Sequence, residues 1–501
     1  MIIDDYAAFL EMKKITPIIS GFDVDIDSLN ENLFDFQRVI VKWSLKRGRA
    51  AIFADTGLGK TLMQTSWAQE VVNQTGGDVL IVAPLCVAQQ TVREGIKFGI
   101  EINFCRDQDH AKPGINITNY EMLDRFNLDD YHGIVLDESS IIKNRDGKTR
   151  NAINSACKSV PYRLSCTATP SPNDFMELGN QSEFLGIMSM TEMLAMFFIN
   201  DAGDTGTWIL KGHGKAKFWE WMATWACVLR SPTDLGFDGS AYVLPTLNMF
   251  DHVVESKRTD GLFADIATGL MDRNKARKDS IDDRVEKCFS VITSNFCDKL
   301  PQREQSARDT LHELQSGHGE VYGQSRIIKE SISISGKPFW FIWCHRNEEQ
   351  DKLEQLFGDD CFSVNGSDST DEKERKILAW IDGERPVMIS KPKIMGSGLN
   401  FQHCHNTAFV GLSDSWEQYY QAIRRFFRFG QTHEVNVHVI SAESEGAVVA
   451  NIKRKEEQNH QMGLEMVKFV ADSMKREIFG ATEEKAPYDP IIPIIFPSWL
   501  I

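Results

Sequence analysis

The stretch that decides the fold is Ala54-Asp55-Thr56-Gly57-Leu58-Gly59-Lys60-Thr61. The apolar run 50–53 before it predicts a short buried strand, and the residues 62–72 after it have the composition of a helix. A strand, a turn that contains glycine, Lys-Thr and a helix form the arrangement that binds phosphate groups, because backbone N–H groups of the turn and of the helix N-terminus point at the anion. The stretch therefore predicts a nucleotide-binding loop, with Ala54 standing where the general pattern has its first glycine.

The residues of this loop have predicted roles toward a nucleoside triphosphate. Thr56, Gly57 and Gly59 would bind the phosphate groups along the loop. Lys60 would reach the β- and γ-phosphates, and the hydroxyl of Thr61 would coordinate Mg²⁺. The alternative is a glycine turn without catalytic meaning, which the Lys-Thr ending and the flanking strand and helix disfavour.

A second apolar run, 133–136, ends in the two acids Asp137 and Glu138. Such a run predicts a buried parallel strand whose C-terminal end lies where open α/β sheets bind ligands. Asp137 would hold Mg²⁺, directly or through water, and Glu138 would orient or deprotonate the attacking water. Alone, this ending is more typical of a loop entry. Behind a phosphate loop in the same domain it favours nucleoside triphosphate hydrolysis.

The composition is that of an ordinary globular protein, with 42% apolar and 25% charged residues in a chain of 501. This length predicts two or more domains. The sequence has no recognisable signal segment and no apolar run of about 18 residues, so we expect a cytoplasmic protein with no membrane partner. A net charge of −16 argues against tight, indiscriminate binding to nucleic acid through charge alone.

The ten cysteines are scattered and form no C-x-x-C pair, which favours free thiols in a reducing compartment. His403-Cys404-His405 is the one local group of soft metal ligands. Because no second group at zinc-finger spacing accompanies it, the interpretation as a metal site is disfavoured.

Strand-like and helical runs alternate in two parts of the chain, which predicts an α/β fold with two parallel sheets. The expected strands lie near 79–82, 115–118, 133–136, 162–165, 338–343, 361–364, 387–390, 408–410 and 435–440. The predicted domains are an N-terminal accessory segment 1–30, a first sheet domain 31–180, a mostly helical insertion 181–330, a second sheet domain 331–445, and a helical extension with a tail at 446–501.

Several segments in order resemble the motifs of superfamily-2 helicases, most closely those of the Swi/Snf branch. They are Phe36-Gln37, Ala83-Pro84, Asp137-Glu138-Ser139-Ser140, Ser165-Cys166-Thr167-Ala168-Thr169-Pro170, the Gly-rich run 393–400, and Gln421-Ala422-Ile423-Arg424-Arg425-Phe426-Phe427-Arg428-Phe429-Gly430-Gln431. The resemblance covers about 31–180 and 335–445. The Asp-Glu motif ends in Ser-Ser, and the later motif contains Thr-Ala-Thr-Pro; both differ from the motifs of eukaryotic remodellers. The chain therefore looks more like a bacterial or bacteriophage member of the branch.

The resemblance implies two RecA-like domains, with ATP and Mg²⁺ in the cleft between them. Gln37 would read the adenine, and Arg425 and Arg428 would act as arginine fingers from the second domain, on one face of a helix. The adjacent Arg424 is expected to be a surface or salt-bridged residue. Thr167 and Thr169 would couple hydrolysis to motion, with turn capping before Pro170 as the alternative.

The function implied by the resemblance is an ATP-dependent translocase on duplex DNA. Candidate backbone contacts, which would give little sequence preference, are Gln89, Asn119, Lys143, Lys391 and Asn400. Alternatives are a strand-separating helicase on branched DNA or RNA, and a nucleotide-controlled clamp or adaptor. A DNA-modifying enzyme is an expected protein partner. The tryptophans between 208 and 225 could stack bases, but aromatic residues at this spacing more often form core.

Overall fold

The computed structural model describes residues 18–143, 147–201, 204–255, 277–298, 338–396 and 399–479. Its strands are β1 (Arg49–Ala54), β2 (Asp78–Ala83), β3 (Ile102–Phe104), β4 (Ile115–Asn119), β5 (Tyr131–Asp137), β6 (Tyr162–Cys166), β7 (Phe198–Asp201), β8 (Asp204–Leu210), β9 (Ala226–Leu229), β10 (Leu247–Val254), β11 (Trp340–Cys344), β12 (Cys361–Ser363), β13 (Val387–Ser390), β14 (Asn406–Val410) and β15 (Val435–Ala442).

The α-helices alternate with these strands along most of the chain. They are α1 (Asp35–Arg47), α2 (Lys60–Thr75), α3 (Leu85–Lys97), α4 (Lys148–Ala156), α5 (Leu178–Leu185), α6 (Met190–Phe197), α7 (Lys215–Ala223), α8 (Ile281–Asp298), α9 (Asn347–Phe357), α10 (Thr370–Ile381), α11 (Pro392–Met395), α12 (Trp416–Ile423) and α13 (Gly446–Phe479).

The first lobe is built on a parallel sheet of seven strands in the order β3-β4-β2-β5-β6-β1-β9. Its central strands each contain a buried apolar run; in β2, residues 79–83 are all fully buried. Strands covered on both faces read as continuous apolar runs, which is why the sequence located them. The C-terminal ends of β1, β5 and β6 lie side by side, because β6 pairs with both of the others.

The second lobe is built on a parallel sheet of six strands in the order β10-β15-β14-β11-β13-β12. Alternate residues of β11 enter different core clusters. Phe341 and Trp343 join one cluster, whereas Trp340 and Ile342 join the other with α8 and α9. The sheet is therefore covered on both faces, and the predicted fold class of two parallel α/β sheets is confirmed.

The region 181–255 contributes to both lobes. The hairpin β7–β8 and α7 follow the first sheet, and β9 then pairs with β1 at its edge. The next strand, β10, instead pairs with β15 of the second sheet. The chain thus crosses between the lobes at 230–246. The limits of the predicted insertion stay a prediction, and its residues 256–276 and 299–330 lie outside the described ranges.

The tryptophans of this region form core. Trp219, Trp221 and Trp225 are each at most 3% exposed, and Trp208 packs against the same cluster. This confirms the interpretation as packing residues, because a buried indole has no face to offer to a base.

The last described helix, α13, has 34 residues and a length of about 51 Å at 1.5 Å per residue. It leaves the second lobe after β15 and packs on α7 and β9 of the first lobe. Phe469 stacks on Trp219 at 6.2 Å between ring centroids, and Glu477 accepts a hydrogen bond of 2.6 Å from Arg47. The helix therefore returns the chain to the first lobe. None of the helices within the described ranges is long and apolar enough to cross a membrane.

Candidate active site

The phosphate loop connects β1 to α2 and needs glycine at two positions. Gly57 and Gly59 have φ of +88° and +77°, a conformation that side chains with a Cβ disfavour. A Cβ at Gly59 would lie 2.2 Å from the side-chain nitrogen of Gln37, and one at Gly57 would lie 2.7 Å from the backbone nitrogen of Phe429. The loop is therefore enclosed by α1 on one side and by the second lobe on the other.

Lys60 is the first residue of α2 and lies folded against the loop. Its ammonium group donates hydrogen bonds to the carbonyls of Ala54 (2.7 Å) and Asp55 (3.2 Å). Burial lowers the pKa of this ammonium, and the negative charges of Glu138, Asp55 and Asp137 act against that shift. The amine is thus a cation held among acids, close to where the loop would bind phosphate.

The two acids at the end of β5 lie beside this lysine. Asp137 is 6% exposed, and burial together with the charge of Glu138 raises its pKa to about 6. Glu138 has φ +51° and ψ +50°, and is the only non-glycine residue with positive φ in the described part of the chain. Such a conformation costs about 1–3 kcal/mol and clusters at functional sites.

The residues predicted to hold Mg²⁺ offer the oxygen ligands that this ion prefers. Thr61 lies in the first turn of α2, and the Asp137 carboxyl faces the same loop. Gln64, one turn further along α2, is fully buried, and a hydrogen bond from its side chain to the Asp137 carboxyl acts against the rise of that pKa. A buried carboxyl of raised pKa beside a buried amide fits a site that a hydrated cation would complete. Sequence reasoning missed Gln64.

The Ser-Cys-Thr-Ala-Thr-Pro segment connects Glu138 to the second lobe. The hydroxyl of Thr167 donates to Glu138 Oε2 at 3.3 Å, and the backbone N–H of Thr169 donates to that hydroxyl at 3.1 Å. The Thr169 hydroxyl accepts from Gln421 Nε2 at 3.5 Å. Both threonines therefore take part in a chain of contacts from the acid to α12.

Both predicted arginine fingers face this cleft, but not from one helix face. Helix α12 ends at Ile423, and both arginines lie in the turns that follow. Arg425 is 3% exposed and donates to the Gln421 side chain (2.7 Å) and to the Leu399 carbonyl (3.1 Å). Burial, followed by the charge of Arg428, lowers its pKa to about 10, although the acids Glu138 and Asp137 act against this.

Arg428 makes fewer hydrogen bonds than Arg425. Its Nη1 lies 3.4 Å from the Leu399 carbonyl, and its buried Nε has no hydrogen-bond partner among the described residues. Burial lowers its pKa, whereas Glu94 and Glu138 act against that shift. Its geometry leaves donors available for a further anion.

Gln37 contacts the phosphate loop directly. Its amide is 2% exposed, donates to the Leu58 carbonyl at 2.9 Å and accepts from the Phe34 N–H at 2.9 Å. The Gln37 amide therefore stabilises the phosphate loop through its hydrogen bond to Leu58. A contact between Gln37 and adenine stays a prediction.

The lobes meet through three ion pairs in the described part of the chain. Asp55 pairs with Arg424 at 2.9 Å, Lys143 with Glu417, and Arg93 with Glu374. The prediction that Arg424 is salt-bridged is confirmed. Sequence reasoning missed Asp55 and its second partner Tyr420, whose hydroxyl donates to Asp55 at 2.7 Å.

The candidate nucleic-acid contacts are dispersed. Gln89 lies 2.8 Å from Glu374 across the lobes, Lys143 is in the pair with Glu417, and Lys391 donates to Asn347. Asn119 is 1% exposed, so its side chain is closed off in this conformation. Asn400 donates to Gln402 at 3.2 Å. No described group of three metal-ligating side chains surrounds His403-Cys404-His405 or any other point.

Comparisons with known proteins agree with this architecture. The SNF2-related domain model matches residues 36–198, and the helicase conserved C-terminal domain model matches residues 323–430. A putative protein p41 of Acyrthosiphon pisum secondary endosymbiont phage 1 is 23% identical over 458 residues, covering 81% of this chain and 92% of that protein.

Two solved structures are among those that match this chain. S. cerevisiae Dbp5 bound to RNA and ADP BeF3 is 13% identical, with a TM-score of 0.50, covering 84% of this chain and 87% of that one. The Sulfolobus solfataricus SWI2/SNF2 ATPase core in complex with dsDNA is 18% identical, with a TM-score of 0.39, covering 92% of this chain and 97% of that one. The two domain matches cover more than half of the chain in the order of the two lobes, and the chain therefore belongs to the Swi/Snf-type superfamily-2 helicases, as an ATP hydrolase of that family.

Proposed function

We propose that this protein moves along duplex DNA by cycles of ATP binding and hydrolysis. One observation carries the proposal: Glu138 of the first lobe is linked through Thr167 and Thr169 to Gln421 of the second, which also holds Arg425. A change at the hydrolytic acid must therefore alter the contact between the lobes. Motion of two lobes against each other is how a nucleotide cycle is converted into displacement.

The residues of the first lobe would bind MgATP and prepare the water. The loop residues Thr56, Gly57 and Gly59 and the Lys60 ammonium would hold the phosphates, while Thr61 and Asp137 would hold the ion. Bound Mg²⁺ would neutralise charge on the phosphate oxygens. Glu138 would accept a proton from the attacking water, or orient that water, from a backbone conformation that fixes its direction.

The second lobe would supply the cation that hydrolysis requires. Charge develops on the phosphoryl group during transfer, and a guanidinium fixed nearby is worth roughly 10³–10⁵ in rate. Arg428 has free donor capacity, whereas Arg425 is engaged with Gln421 and Leu399. We therefore assign the direct phosphate contact to Arg428 and its support to Arg425.

Membership of the SNF2-related family supports duplex DNA as the track, and contacts to the phosphate backbone would carry little sequence preference. The eight cysteines whose side chains the structure describes are buried thiols that form no disulfide with one another, which supports a cytoplasmic location. Similarity to a phage protein fits a phage-type member, for which we retain a DNA-modifying enzyme as protein partner. We also retain the domain division 1–30, 31–180, 181–330, 331–445 and 446–501.

The test is steady-state ATP hydrolysis without nucleic acid and with duplex DNA, single-stranded DNA or RNA. Lys60→Ala should remain folded and lose turnover, because it removes the cation that faces the phosphates. Lys46→Ala, an exposed lysine on α1, is the matched control and should keep full turnover. Unchanged hydrolysis by Lys60→Ala would refute the loop assignment.

Stimulation by duplex alone supports translocation, and triplex displacement would then measure movement. Stimulation mainly by single strands or RNA would replace the proposal with a strand-separating helicase. If no nucleic acid stimulates hydrolysis, a nucleotide-controlled clamp becomes the better description.

A further inference from the structure

An acid lies inside the phosphate loop, where a binding site for anions would not be expected to have one. Asp55 is the first loop residue after β1, and its backbone N–H donates to the Leu229 carbonyl at 3.0 Å. A carboxylate at this position repels phosphate unless its charge is balanced locally. Its neighbours on the second lobe supply that balance.

The carboxylate of Asp55 is held by two side chains of the second lobe. Tyr420 donates its hydroxyl to Oδ1 at 2.7 Å, and Arg424 donates Nη2 to Oδ2 at 2.9 Å. The N–H of Thr56 donates to the same Oδ1 at 2.7 Å. We call Asp55, Tyr420 and Arg424 the inter-lobe latch.

The latch is a desolvated, well-packed contact. The side chains of Asp55 and Arg424 are 14% and 13% exposed. Burial by itself raises the pKa of Asp55, but Arg424, the Tyr420 hydroxyl, the Thr56 N–H and the charge of Lys60 together outweigh it and bring the pKa below its ordinary value. The pair is therefore ionised, and removing one partner would leave the other charge uncompensated.

Aromatic rings fix the direction of the guanidinium. Arg424 lies 5.1 Å from the ring centroid of Tyr420 and 5.5 Å from that of Phe427. Tyr420 in turn stacks on Trp416 at 4.9 Å between centroids. A guanidinium that contacts two rings and a carboxylate has few accessible conformations. The contact of Arg424 with Asp55 therefore fixes the distance between the end of α12 and the phosphate loop.

The latch is placed to control the arginines proposed to meet phosphate. Arg424 immediately precedes Arg425, and Arg428 follows one turn later in the same segment. The other described inter-lobe ion pairs, Lys143 with Glu417 and Arg93 with Glu374, involve no residue of the phosphate loop. Among these pairs, only the latch joins the loop to the segment that carries the arginines.

We propose that Asp55, Tyr420 and Arg424 are positioning residues for ATP hydrolysis, which hold the segment 424–428 against the phosphate loop when the lobes are closed. The inference rests on the proposed role of Arg428. It implies that the latch contributes to the rate of the chemical step and little to nucleotide affinity, because no latch side chain is required to touch the nucleotide.

The experiment measures kcat and KM for ATP in Arg424→Gln, Asp55→Asn and the double variant, in the full-length protein. A displaced catalytic group can cost about 10²-fold, so we expect kcat to fall by roughly 10- to 100-fold in Arg424→Gln, with KM within about threefold. The double variant should be no worse than the more impaired single variant, because both remove the same contact. Arg424→Lys should recover part of the loss.

Arg375→Gln is the matched control, since Arg375 is an exposed arginine of the second lobe whose ion pair with Glu372 lies within α10. Tyr420→Phe removes only one hydroxyl and keeps the test decisive if Arg424→Gln does not fold. A several-fold loss of kcat at constant KM is expected for Tyr420→Phe.

Normal kcat in both Arg424→Gln and Tyr420→Phe would overturn the latch, as would additive losses in the double variant or a change confined to KM. Arg428→Ala separates the two proposals. If Arg428→Ala is inactive while Arg424→Gln is normal, the latch alone is wrong. If Arg428→Ala hydrolyses normally, the proposed site itself is wrong.

Discussion

Glu138 combines a catalytic assignment with a strained backbone. Its positive φ turns the chain sharply at the end of β5, so that Asp137 and Glu138 both remain near the phosphate loop. A glycine would adopt this conformation without the strain. The presence of a glutamate at this conformational cost is what we expect of a residue kept for its carboxylate.

We expect Glu138→Gln to bind nucleotide and to lose hydrolysis by at least about 10²-fold, because the amide retains the shape but cannot accept a proton. Single-turnover hydrolysis and nucleotide binding measured on the same preparation check this. Glu138→Gly should be equally inactive and more stable toward heat, since it relieves the strain. Substantial hydrolysis by either variant contradicts the assignment.

The side chains that the structure brings together around the phosphate loop could be located from the sequence wherever the motif is local. Lys60, Thr61, Asp137 and Glu138 lie in short runs whose chemistry follows from neighbouring residues. Tyr420 and Asp55 are separated by 365 positions along the chain, and their contact exists only because two lobes fold separately and then meet. No local pattern reports such a contact.

The phosphate loop is enclosed tightly enough for one methyl group to matter. Gly57→Ala would combine a positive φ with a Cβ 2.7 Å from the Phe429 backbone. Because the backbone of the second lobe would have to move, we expect kcat to fall by more than about tenfold, in line with the cost of misplacing catalytic groups.

Gly76→Ala, at the end of α2, is the control for that experiment. Gly76 has φ +68° and open space around its Cβ position, so the substitution introduces the same kind of strain without a collision. It should cost about 1 kcal/mol of stability and leave turnover unchanged. Equal kcat in the two variants would contradict the close contact between loop and second lobe.

Strands and helices were predictable to different degrees. The long apolar strands were located from sequence because both faces of each sheet are covered. β9 has four residues, too few for a periodic pattern, and so its place at the edge of the first sheet was missed. The arginine pair was expected on one helix, but α12 stops at Ile423, and Phe426 beyond it turns into the core at 0% exposure.

Acid should weaken the second lobe. Burial lowers the pKa of His345, His403 and His438 to about 4. Neighbouring cations lower the pKa of His345 further, and His252 does the same for His438. Between pH about 6.5 and 4 the unfolded chain binds protons that the folded imidazoles do not. The free energy of unfolding therefore falls as the pH is lowered, by about 1–2 kcal/mol per histidine at pH 5.

His403→Leu tests this directly, because His403 lies among Phe339, Trp380 and Phe401 and its Nε2 has no partner in the described structure. Urea unfolding at pH 7 and pH 5 should show a smaller loss for this variant than for the wild type or for the exposed control His110→Gln. The raised pKa of Asp137 makes the folded state more stable as the pH falls, which opposes the effect of the histidines. The loss is therefore compared between variants that all keep Asp137. If His403→Leu loses as much free energy of unfolding between pH 7 and pH 5 as the wild type, His403 does not cause the acid sensitivity.

The end of α13 should stabilise the first lobe. Arg47 is 2% exposed and pairs with Glu477, 430 positions away, which also accepts from the indole of Trp43 at 3.3 Å. Glu477→Ala leaves a buried guanidinium without its partner, which we expect to cost about 1–3 kcal/mol in thermal unfolding. Asp472→Ala, exposed on the same helix, should cost less than about 0.5 kcal/mol. Equal melting temperatures would refute the role of this contact.

Within the described residues the chain passes between the lobes twice, and these two connections limit how the lobes can move. One passage is the segment 230–246 after β9, and the other is α13. Two connections restrict the relative motion of the lobes more than one connection would, and rotation about the line through them stretches neither connection. If ATP turnover moves the lobes as proposed above, rotation about that line is the motion that the two connections oppose least, and the length of a step along DNA would depend on the distance of the DNA-binding surface from that line.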